Sequence, residues 1–519
     1  MRNTTVHPLG SQTHRSEERR VRVAERRTRH TARVLARLGM QEVSRATGHR
    51  RFQAGGAAEV TSQQQRAQAI RQALEQLGPL YVKIGQILST RPDLVPDYVR
   101  EELALLTDQA TVRPFATFVP ALEAELGPDW RNSFSSFETG RPLGAASLAQ
   151  VYRATRRDGT PCVVKIQRPG SHGIVFGDMT VLRRASRVIA RAAPRFNEVI
   201  DTGAMLDVIF RAMGDELDFT REAANMKDAR KAAKEFKTIK VPKALVATPR
   251  VLVQSLADGQ AAHRLKEGEL SRKQRKKMAK EFVAYMFKGF FIDRTFHADP
   301  HPGNVLISPD GKVHVIDWGM VGRIDRSMSA GMLGTMIGMA YNDGPALAQS
   351  WIRMGSTTPW SDIGGFTADI ARFVPHITNA SLAELNFGVA LTTVLTFSTH
   401  RGIQTTPNVS IVGKAVANME GTVRHIHPGL KLSDSIRDAL QDILLDMARD
   451  LASPEQLAQY GLHTLHALTQ GPGQGTRLLN DLADRQLTLH NHTRFHDTRF
   501  NKGAFALALL ALGRRHRPG

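Results

Sequence analysis

Two short motifs, joined by a predicted β-hairpin, constrain the fold of this chain of 519 residues more than any other feature. The first is the octapeptide His297-Ala298-Asp299-Pro300-His301-Pro302-Gly303-Asn304, and the second is Asp317-Trp318-Gly319. Residues 305–307 and 313–316 are largely apolar runs on either side of the turn sequence Ser-Pro-Asp-Gly, a pattern typical of a hairpin. The hairpin delivers Asp317 at its end, eighteen residues after Asp299.

The residue types in these motifs suit phosphoryl transfer with Mg²⁺. Asp299 can accept a hydroxyl proton or orient a nucleophile. Asn304 supplies a neutral oxygen and Asp317 a charged one, and both are hard ligands. His-x-Asp-x-x-x-x-Asn followed by Asp-x-Gly is typical of the protein-kinase-like superfamily. The alternatives are a chance loop and a transition-metal site on His297 and His301, because imidazole and carboxylate also bind zinc.

An upstream hairpin places a lysine where such a site needs one. The small-residue loop at 142–147 precedes a predicted strand at 150–155, a turn at 157–159 and a returning strand at 162–167. Lys165 stands there in Val-Val-Lys-Ile, the context of the kinase lysine that contacts the α- and β-phosphates. The alternative is a lysine on the solvated face of an antiparallel strand.

A helix-forming segment at 205–236 carries the acids that could pair with such lysines. Asp218 and Glu222 are four residues apart, a like-charge pair that destabilises a helix unless partners compensate. We expect Glu222 to meet Lys165, and Glu216 or Asp218 to face Lys83 or the metal. The alternative is a solvated acidic helix face.

Nearer the N-terminus, apolar residues recur at spacings of three and four and predict one face of a helix, namely Ile70, Leu74, Leu77, Tyr81, Ile84 and Leu88. Lys83 and Gln86 share a different face, and Arg91-Pro92 ends the run. A lone Lys-x-Gly-Gln is usually solvated surface, so this motif matters only in combination with the others.

Composition bounds the class and compartment of the protein. Charged residues at 23% and hydrophobic residues at 41% describe a globular chain of two to four domains. Cys162 is the one cysteine, so an intramolecular disulfide is impossible, which fits a reducing compartment. The 70 Lys and Arg exceed the 49 Asp and Glu by 21, which favours anionic partners such as phospholipid, nucleic acid or phosphorylated ligands.

The two ends of the chain bear on membrane association. Residues 1–51 hold thirteen Arg and four Glu without Lys or Asp, a net charge of +9. They predict a disordered basic tail or a membrane-surface helix with a thin apolar stripe at Val21, Ala24, Thr31, Leu35 and Leu38. The longest uninterrupted apolar run, residues 503–513, falls short of the roughly 20 residues of a membrane span. We expect a cytoplasmic protein, peripheral on the inner face of the membrane.

Together, these motifs resemble the UbiB family of atypical kinases, also called aarF-domain or ADCK proteins, across residues 61–325. Lys83-Ile84-Gly85-Gln86 resembles the family's Lys-x-Gly-Gln extension, residues 144–147 its Ala-rich nucleotide loop, and Glu216-Leu217-Asp218 its Glu-x-Asp motif. The resemblance implies an α+β, bilobal protein-kinase-like fold with a helical N-terminal extension and a mostly helical C-terminal region. The expected parts are a tail at 1–60, the extension at 61–130, an N-lobe at 131–256, a C-lobe at 257–450 and a helical tail at 451–519.

The resemblance also implies site residues, with ATP or ADP and Mg²⁺ as cofactors. The catalytic set is Asp299, Lys165, Lys83 and Gln86. The nucleotide-binding set is Gly144, Ala145, Ala146, Ser147, Lys165, Glu216, Asp218 and Glu222. The metal ligands are Asn304 and Asp317.

Two departures from the family pattern qualify these expectations. Gly144 stands where the family usually has the first of three alanines, and glycine lets backbone N–H groups approach phosphate more closely. Nucleotide preference could therefore differ. In place of the C-terminal transmembrane hairpin of many bacterial members, the chain offers only residues 503–513, so we expect interfacial anchoring.

The implied function is an ATPase or kinase that supports ubiquinone-type prenyl-lipid or other membrane lipid metabolism. Its expected partners are adenine nucleotide and anionic membrane lipid or prenyl-lipid pathway proteins, in an oligomeric state that the sequence does not specify. Two alternatives are a small-molecule phosphotransferase of the aminoglycoside or choline kinase type, which the extension argues against, and a non-catalytic, nucleotide-gated lipid-binding protein. We expect no specific nucleic-acid binding, because no known module appears and only six Tyr and four Trp are present for stacking.

Overall fold

The computed structural model describes residues 27–34, 57–106, 110–379, 387–430, 443–445, 458 and 461–462. The expected anchoring run at 503–513 lies outside these ranges, as does almost all of the predicted tail at 451–519. Within the described ranges, none of the helices is both long and apolar enough to cross a membrane.

The N-terminal extension consists of helices: α1 (27–34), α2 (Ala57–Leu77), α3 (Pro79–Leu88) and α4 (Asp97–Leu103). Gly78, with φ 107°, and Pro79, the first residue of α3, separate α2 from α3. Glycine adopts positive φ without strain, and proline is favoured at a helix start. The continuous helix that the apolar spacing through Leu88 predicts is therefore wrong at this point.

The first lobe is built around an antiparallel sheet in the order β1-β3-β4-β7-β6, with β2 paired to β3. The elements along this stretch of the chain are α5 (Val119–Leu126), β1 (Phe134–Phe137), β2 (Gly144–Ala145), β3 (Ala149–Arg156), β4 (Pro161–Gln167), α6 (Ser171–Ala192), α7 (Pro194–Val199), α8 (Thr202–Glu216), α9 (Phe219–Ala233), β5 (Ile239–Lys240), β6 (Ala244–Ala247) and β7 (Val251–Ser255). Val164 and Ile166 are buried in one core with Leu122 of α5. Because side chains alternate along a strand, Lys165 lies on the opposite face.

The acidic segment forms two helices rather than one. α8 ends at Glu216, and Asp218 is the N-cap of α9, where its carboxylate accepts a hydrogen bond from Thr220 N at 3.0 Å. A carboxylate is stabilising at a helix N-terminus. Since Asp218 lies outside the regular helix, the repulsion expected between Asp218 and Glu222 within one helix does not apply.

Helix α1 differs from the expectation for the basic tail. The Nε and Nη2 atoms of Arg27 donate to the Asp178 carboxylate of α6 at 2.7 and 2.6 Å. Thr31, one residue of the expected membrane-facing stripe, is buried beside Tyr81, with 3.3 Å between their hydroxyl oxygens. For residues 27–34, the expectation of a disordered or membrane-surface tail is therefore corrected, because Arg27 and Thr31 contact the folded protein.

The second lobe combines a small sheet, in the order β5-β11-β10-β8, with a layer of helices. Its elements are β8 (Gln260–Ala261), α10 (Arg272–Phe291), β9 (Thr295–His297), β10 (Val305–Ile307), β11 (Val313–Val315), β12 (Val321–Arg323), α11 (Arg326–Ala340), α12 (Gly344–Met354), β13 (Ser356–Thr357), α13 (Ile363–Asn379), α14 (Phe387–His400), β14 (Ile403–Gln404) and α15 (Pro407–Ile426). The antiparallel pairing of β10 with β11 confirms the predicted hairpin. The architecture confirms the α+β, bilobal, kinase-like fold.

Two elements cross the domain boundaries that the sequence suggests. α5 lies in the range expected for the extension, yet Leu122 packs in the core of the first-lobe sheet. β5 lies in the range expected for the N-lobe, yet it pairs in parallel with β11 of the second lobe. The expected boundaries stay predictions.

Candidate active site

Lys165 joins carboxylates from two elements at the interface between the lobes. Its Nζ lies 3.1 and 2.9 Å from the two carboxylate oxygens of Glu222 on α9, and 2.8 Å from Asp317 Oδ1. Burial opposes the charge of Lys165, but Asp317 and Glu222 together hold its pKa above the usual range. The predicted contact between Glu222 and Lys165 is present, and the Lys165 side chain is only 17% exposed.

Asp317 follows β11 in a left-handed backbone conformation with φ 59°, which costs free energy in residues other than glycine. Its neighbours hold it there: Trp318 Nε1 donates to the Val315 carbonyl at 3.0 Å, and Asn225 Nδ2 donates to the Trp318 carbonyl at 3.0 Å. The Lys165 ammonium holds the pKa of Asp317 well below its usual range, so this carboxylate is ionised.

Three acidic side chains converge around Gly319. A Cβ at Gly319 would lie 3.5 Å from Asp317 Oδ1, 3.7 Å from Glu216 Cγ and 3.7 Å from Glu222 Oε2. Glu222 is 2% exposed, and burial raises its pKa, although Lys165 opposes this shift. The side chains of Asp317, Glu216 and Glu222 therefore gather negative charge beside Gly319.

The extension contributes a buried lysine to the same cleft. Lys83 Nζ lies 2.9 Å from Glu216 Oε1, and its charge lowers the pKa of both Asp299 and Asp317. Gln86, one turn later, donates from Nε2 to the Leu106 carbonyl at 3.2 Å. Of the two acids considered for Lys83, the structure places Glu216 against it.

Asp218, the other acid of the Glu-x-Asp motif, has different contacts. It caps α9 and lies 3.8 Å from Arg221 Nε. Its expected part in nucleotide binding stays a prediction.

Asp299, in the expected catalytic loop at 297–304, is held by helix α15. Asp299 Oδ2 lies 3.0 Å from Lys414 Nζ, and Asp299 Oδ1 accepts from Asn418 Nδ2 at 2.5 Å. Burial would raise the pKa of Asp299, but Lys414, Lys83 and His301 together lower it. Asn304 Nδ2 donates to the Asp299 backbone carbonyl at 3.2 Å, which orients the Asn304 amide.

His297 has a structural part in this loop. Its Nδ1 accepts from the Asp299 backbone N–H at 3.1 Å, so its Nε2 carries the proton that it donates to the Ile316 carbonyl at 3.0 Å. Burial lowers the pKa of His297, which keeps the ring neutral. Both ring nitrogens are thus engaged, which argues against the alternative of a zinc site on His297 and His301. Groups of three or more His, Cys, Asp and Glu suited to a metal are absent from the described residues.

The small-residue loop lies along the edge of the first-lobe sheet. Gly144 and Ala145 form β2, and the Ala146 N–H donates to the Ala149 carbonyl at 2.8 Å. The Ala110 N–H donates to the Ala145 carbonyl at 2.9 Å, which ties the end of the extension to this loop. Ser147 is half-buried at the same turn. The expected nucleotide-binding parts of these residues stay predictions.

Three functional candidates escaped the sequence reasoning: Asn225, Lys414 and Asn418. Asn225 belongs to the acidic segment but carries no recognisable motif of its own. Lys414 and Asn418 are four residues apart and so share one face of α15. Their spacing in the sequence predicts a shared polar helix face, but it does not identify the loop that this face contacts.

Comparisons with known proteins agree on a family. The ABC1 atypical kinase-like domain matches residues 105–351. A "Probable protein kinase UbiB" of Pseudomonas putida is 30% identical over 460 residues, which cover 86% of this chain and 82% of that relative. An uncharacterised chloroplastic aarF domain-containing protein kinase of Arabidopsis thaliana is 31% identical over 450 residues, 82% of this chain and 63% of the relative.

A solved structure, the complex of Rv3197 with erythromycin from Mycobacterium tuberculosis, is 23% identical. The match covers 70% of this chain and 97% of the chain in that structure, with a TM-score of 0.44. The UbiB relative, matched over most of both chains, carries the assignment. The chain belongs to the ABC1/aarF family of atypical kinases, the UbiB family.

Proposed function

We propose that this protein is a Mg²⁺-dependent atypical kinase or ATPase that uses adenine nucleotide in support of membrane lipid metabolism, with ubiquinone-type prenyl lipids as the leading class. One observation carries the proposal. Lys165 contacts both Glu222 and Asp317 in the lobe interface. A kinase site needs this lysine–glutamate pair and the metal-binding aspartate in place together.

The residues present fit a magnesium ion. Asn304 donates through its nitrogen to the Asp299 carbonyl, so its oxygen is the amide atom directed away from that bond. The Asp317 side chain is 48% exposed, and its second oxygen is the natural partner for a cation. Around them, the three lysines Lys83, Lys165 and Lys414 face four carboxylates, those of Glu216, Glu222, Asp299 and Asp317.

Asn304 and Asp317 would hold the ion, which when bound neutralises and orients phosphate oxygens. Lys165, oriented by Glu222, would hold the phosphates of the nucleotide. Lys83 and Gln86 would restrict access to the cleft from the side of the extension.

Asp299 would orient the attacking water or hydroxyl and receive its proton. In hydrolysis, the water oxygen bonds to the γ-phosphorus while the bond from that phosphorus to the bridging oxygen breaks. ADP leaves with the electron pair of the broken bond, and the proton passes from Asp299 to solvent. The catalytic contribution of the protein is positioning and electrostatics.

The membrane part of the proposal rests on charge and on family membership. The chain carries a net charge of +21, which attracts anionic lipid surfaces. Relatives of similar sequence carry the name UbiB. Anionic membrane lipid, or proteins of a prenyl-lipid pathway, are therefore the proposed partners.

The test compares ATP hydrolysis by the wild-type chain and by Asp317→Asn, with Mg²⁺, in the presence and absence of phosphatidylglycerol vesicles. We expect wild-type turnover, greater with vesicles, and a loss of at least about tenfold in the variant, because Asp317 is the charged metal ligand. Asp129→Asn, the same change at an exposed residue, is the matched control. Equal rates for wild type and Asp317→Asn would refute the proposal.

A further inference from the structure

Helix α15 presents a row of polar side chains to the catalytic loop. Lys414, Asn418 and Thr422 are spaced by four residues, which places them on one face of the helix. Lys414 and Asn418 contact the two oxygens of the Asp299 carboxylate, at 3.0 and 2.5 Å. Thr422 Oγ1 donates to the Pro300 carbonyl at 2.7 Å. The helix therefore contacts both the side chain of Asp299 and the backbone beside it.

These contacts are buried enough to be strong. The side chains of Lys414 and Asp299 are each 14% exposed, and an ion pair in such a setting is screened much less than one at the surface. Removing one partner from a buried pair leaves an uncompensated charge, which is strongly unfavourable. The position of the Asp299 carboxylate thus depends on α15.

The extension in turn fixes the first half of α15. Arg91 Nη1 donates to Ser410 Oγ at 3.2 Å. Arg91 Nε also donates to Asp93 Oδ1 at 2.7 Å. Asp93 Oδ2 also accepts from Thr399 Oγ1 of α14 at 3.0 Å. Arg91 and Asp93 directly follow α3, the Lys-x-Gly-Gln helix. The extension and the catalytic loop therefore both contact α15.

We infer that Lys414 and Asn418 are positioning residues for Asp299, which hold its carboxylate in the orientation that the attacking water or hydroxyl requires. A carboxylate has about four lone-pair sites, so the two contacts from α15 leave sites for the nucleophile. Small displacements of a positioned catalytic group cost large factors in rate. The inference rests on the proposed function, because Asp299 has this task only if the protein transfers or hydrolyses phosphate.

The test measures kcat and KM for ATP hydrolysis by the full chain with Lys414→Met and Asn418→Leu. Each change should lower kcat at least tenfold while KM for ATP stays within threefold, because the altered contact is to the loop and not to the nucleotide site at Lys165. Lys414→Arg, which keeps the charge, should recover most of the rate. Lys273→Met, the same change at an exposed lysine of α10, should behave as wild type. If Lys414→Met does not fold, Asn418→Leu carries the test, since it removes one donor without leaving a charge unpaired.

A double-mutant cycle separates positioning from a direct role. In the Asp299→Asn background, Lys414→Met should have little further effect, because residues that act as a unit are non-additive. Additive losses, or normal kcat in both single variants, would overturn the inference while leaving the proposed function intact. A wild-type chain that hydrolyses no ATP with Mg²⁺ and vesicles would instead overturn the proposed function, and this inference with it.

Discussion

Asp317 Oδ1 lies 2.8 Å from Lys165 Nζ, and this pair joins the hairpin of the second lobe to the central strand of the first-lobe sheet. Glu222 completes the contact from α9. The lysine is therefore shared between a helix of its own lobe and the proposed metal ligand of the other. One group of charges therefore spans the interface between the lobes and orients the lysine.

Glu222→Gln should weaken nucleotide binding. The amide has nearly the same shape but loses the charge that orients Lys165, so we expect the Kd for ATP with Mg²⁺ to rise by about tenfold, equivalent to about 1.4 kcal/mol. Isothermal titration calorimetry measures this directly. Glu138→Gln, at an exposed position, serves as the control, and an unchanged Kd for Glu222→Gln would contradict the orienting part of Glu222.

Arg27→Met should lower the free energy of unfolding by about 3 kcal/mol, because it leaves the buried Asp178 carboxylate without its ion-pair partner. Asp178 is fully buried. Chemical denaturation followed by circular dichroism would check the value. Arg33→Met changes an exposed arginine on the same helix and should alter stability by less than about 0.5 kcal/mol. A similar small effect for Arg27→Met would show that α1 adds little to the fold.

Gly85→Ala should destabilise the Lys-x-Gly-Gln helix. A Cβ there would overlap Leu106 Cδ1 and lie 2.8 Å from Leu74 Cδ1, and overpacking of this kind costs about 1–3 kcal/mol. Gly144→Ala is the matched change, because nothing among the described residues lies within 4 Å of its added Cβ. Thermal melts should show a lower Tm for the first variant alone. Equal melting temperatures would mean that the two leucines move aside at no cost.

Glu420 should make stability depend on pH. It is 2% exposed and accepts from the backbone N–H groups of Phe387 and Gly388 at 2.8 and 3.3 Å. Burial raises its pKa from 4.5 to about 7, against the opposing effects of these two hydrogen bonds and of Arg424. Between pH 4.5 and pH 7, the Glu420 carboxyl is therefore protonated in the folded chain and ionised in the unfolded chain. The stability from this group is full below pH 4.5 and is lost as pH rises through 7.

Glu420→Gln removes this titration. The unfolding free energy of the variant minus that of wild type should therefore rise by about 3 kcal/mol from pH 4.5 to pH 8, since each unit of pKa shift is worth about 1.4 kcal/mol. Urea denaturation of both proteins across this range measures the difference. A difference that does not change with pH would mean that Glu420 ionises normally in the folded chain.

The kinase-like cleft was predictable because its parts are local in sequence. The hairpin at 305–316 returns Asp317 beside the catalytic loop by its turn chemistry, and Lys165 stands among the β-branched residues of a strand that follows a turn sequence. The predicted contact of Lys165 with Glu222 needed only the charges of both residues and the knowledge that a buried lysine requires a partner.

The rest depended on tertiary contacts or on overlooked local signals. Gly78-Pro79 and Asp218 mark helix boundaries. The sequence prediction missed them because it gave more weight to the apolar spacing and to the content of helix-forming residues. The partner of Asp299 was out of reach for a different reason. Lys414 lies 115 residues after it, and nothing in the pattern of α15 indicates which loop its polar face contacts.

The dependence of Asp299 on α15 also has a consequence for biosynthesis. A ribosome that has completed every kinase motif through Asp317 still has about ninety residues to add before it reaches the helix that holds the Asp299 carboxylate. Until that helix emerges and docks, the nascent chain has its lysine, its acids and its loop, but no partner on α15 for the aspartate. The order of translation therefore delays completion of the site until the late helices have been made.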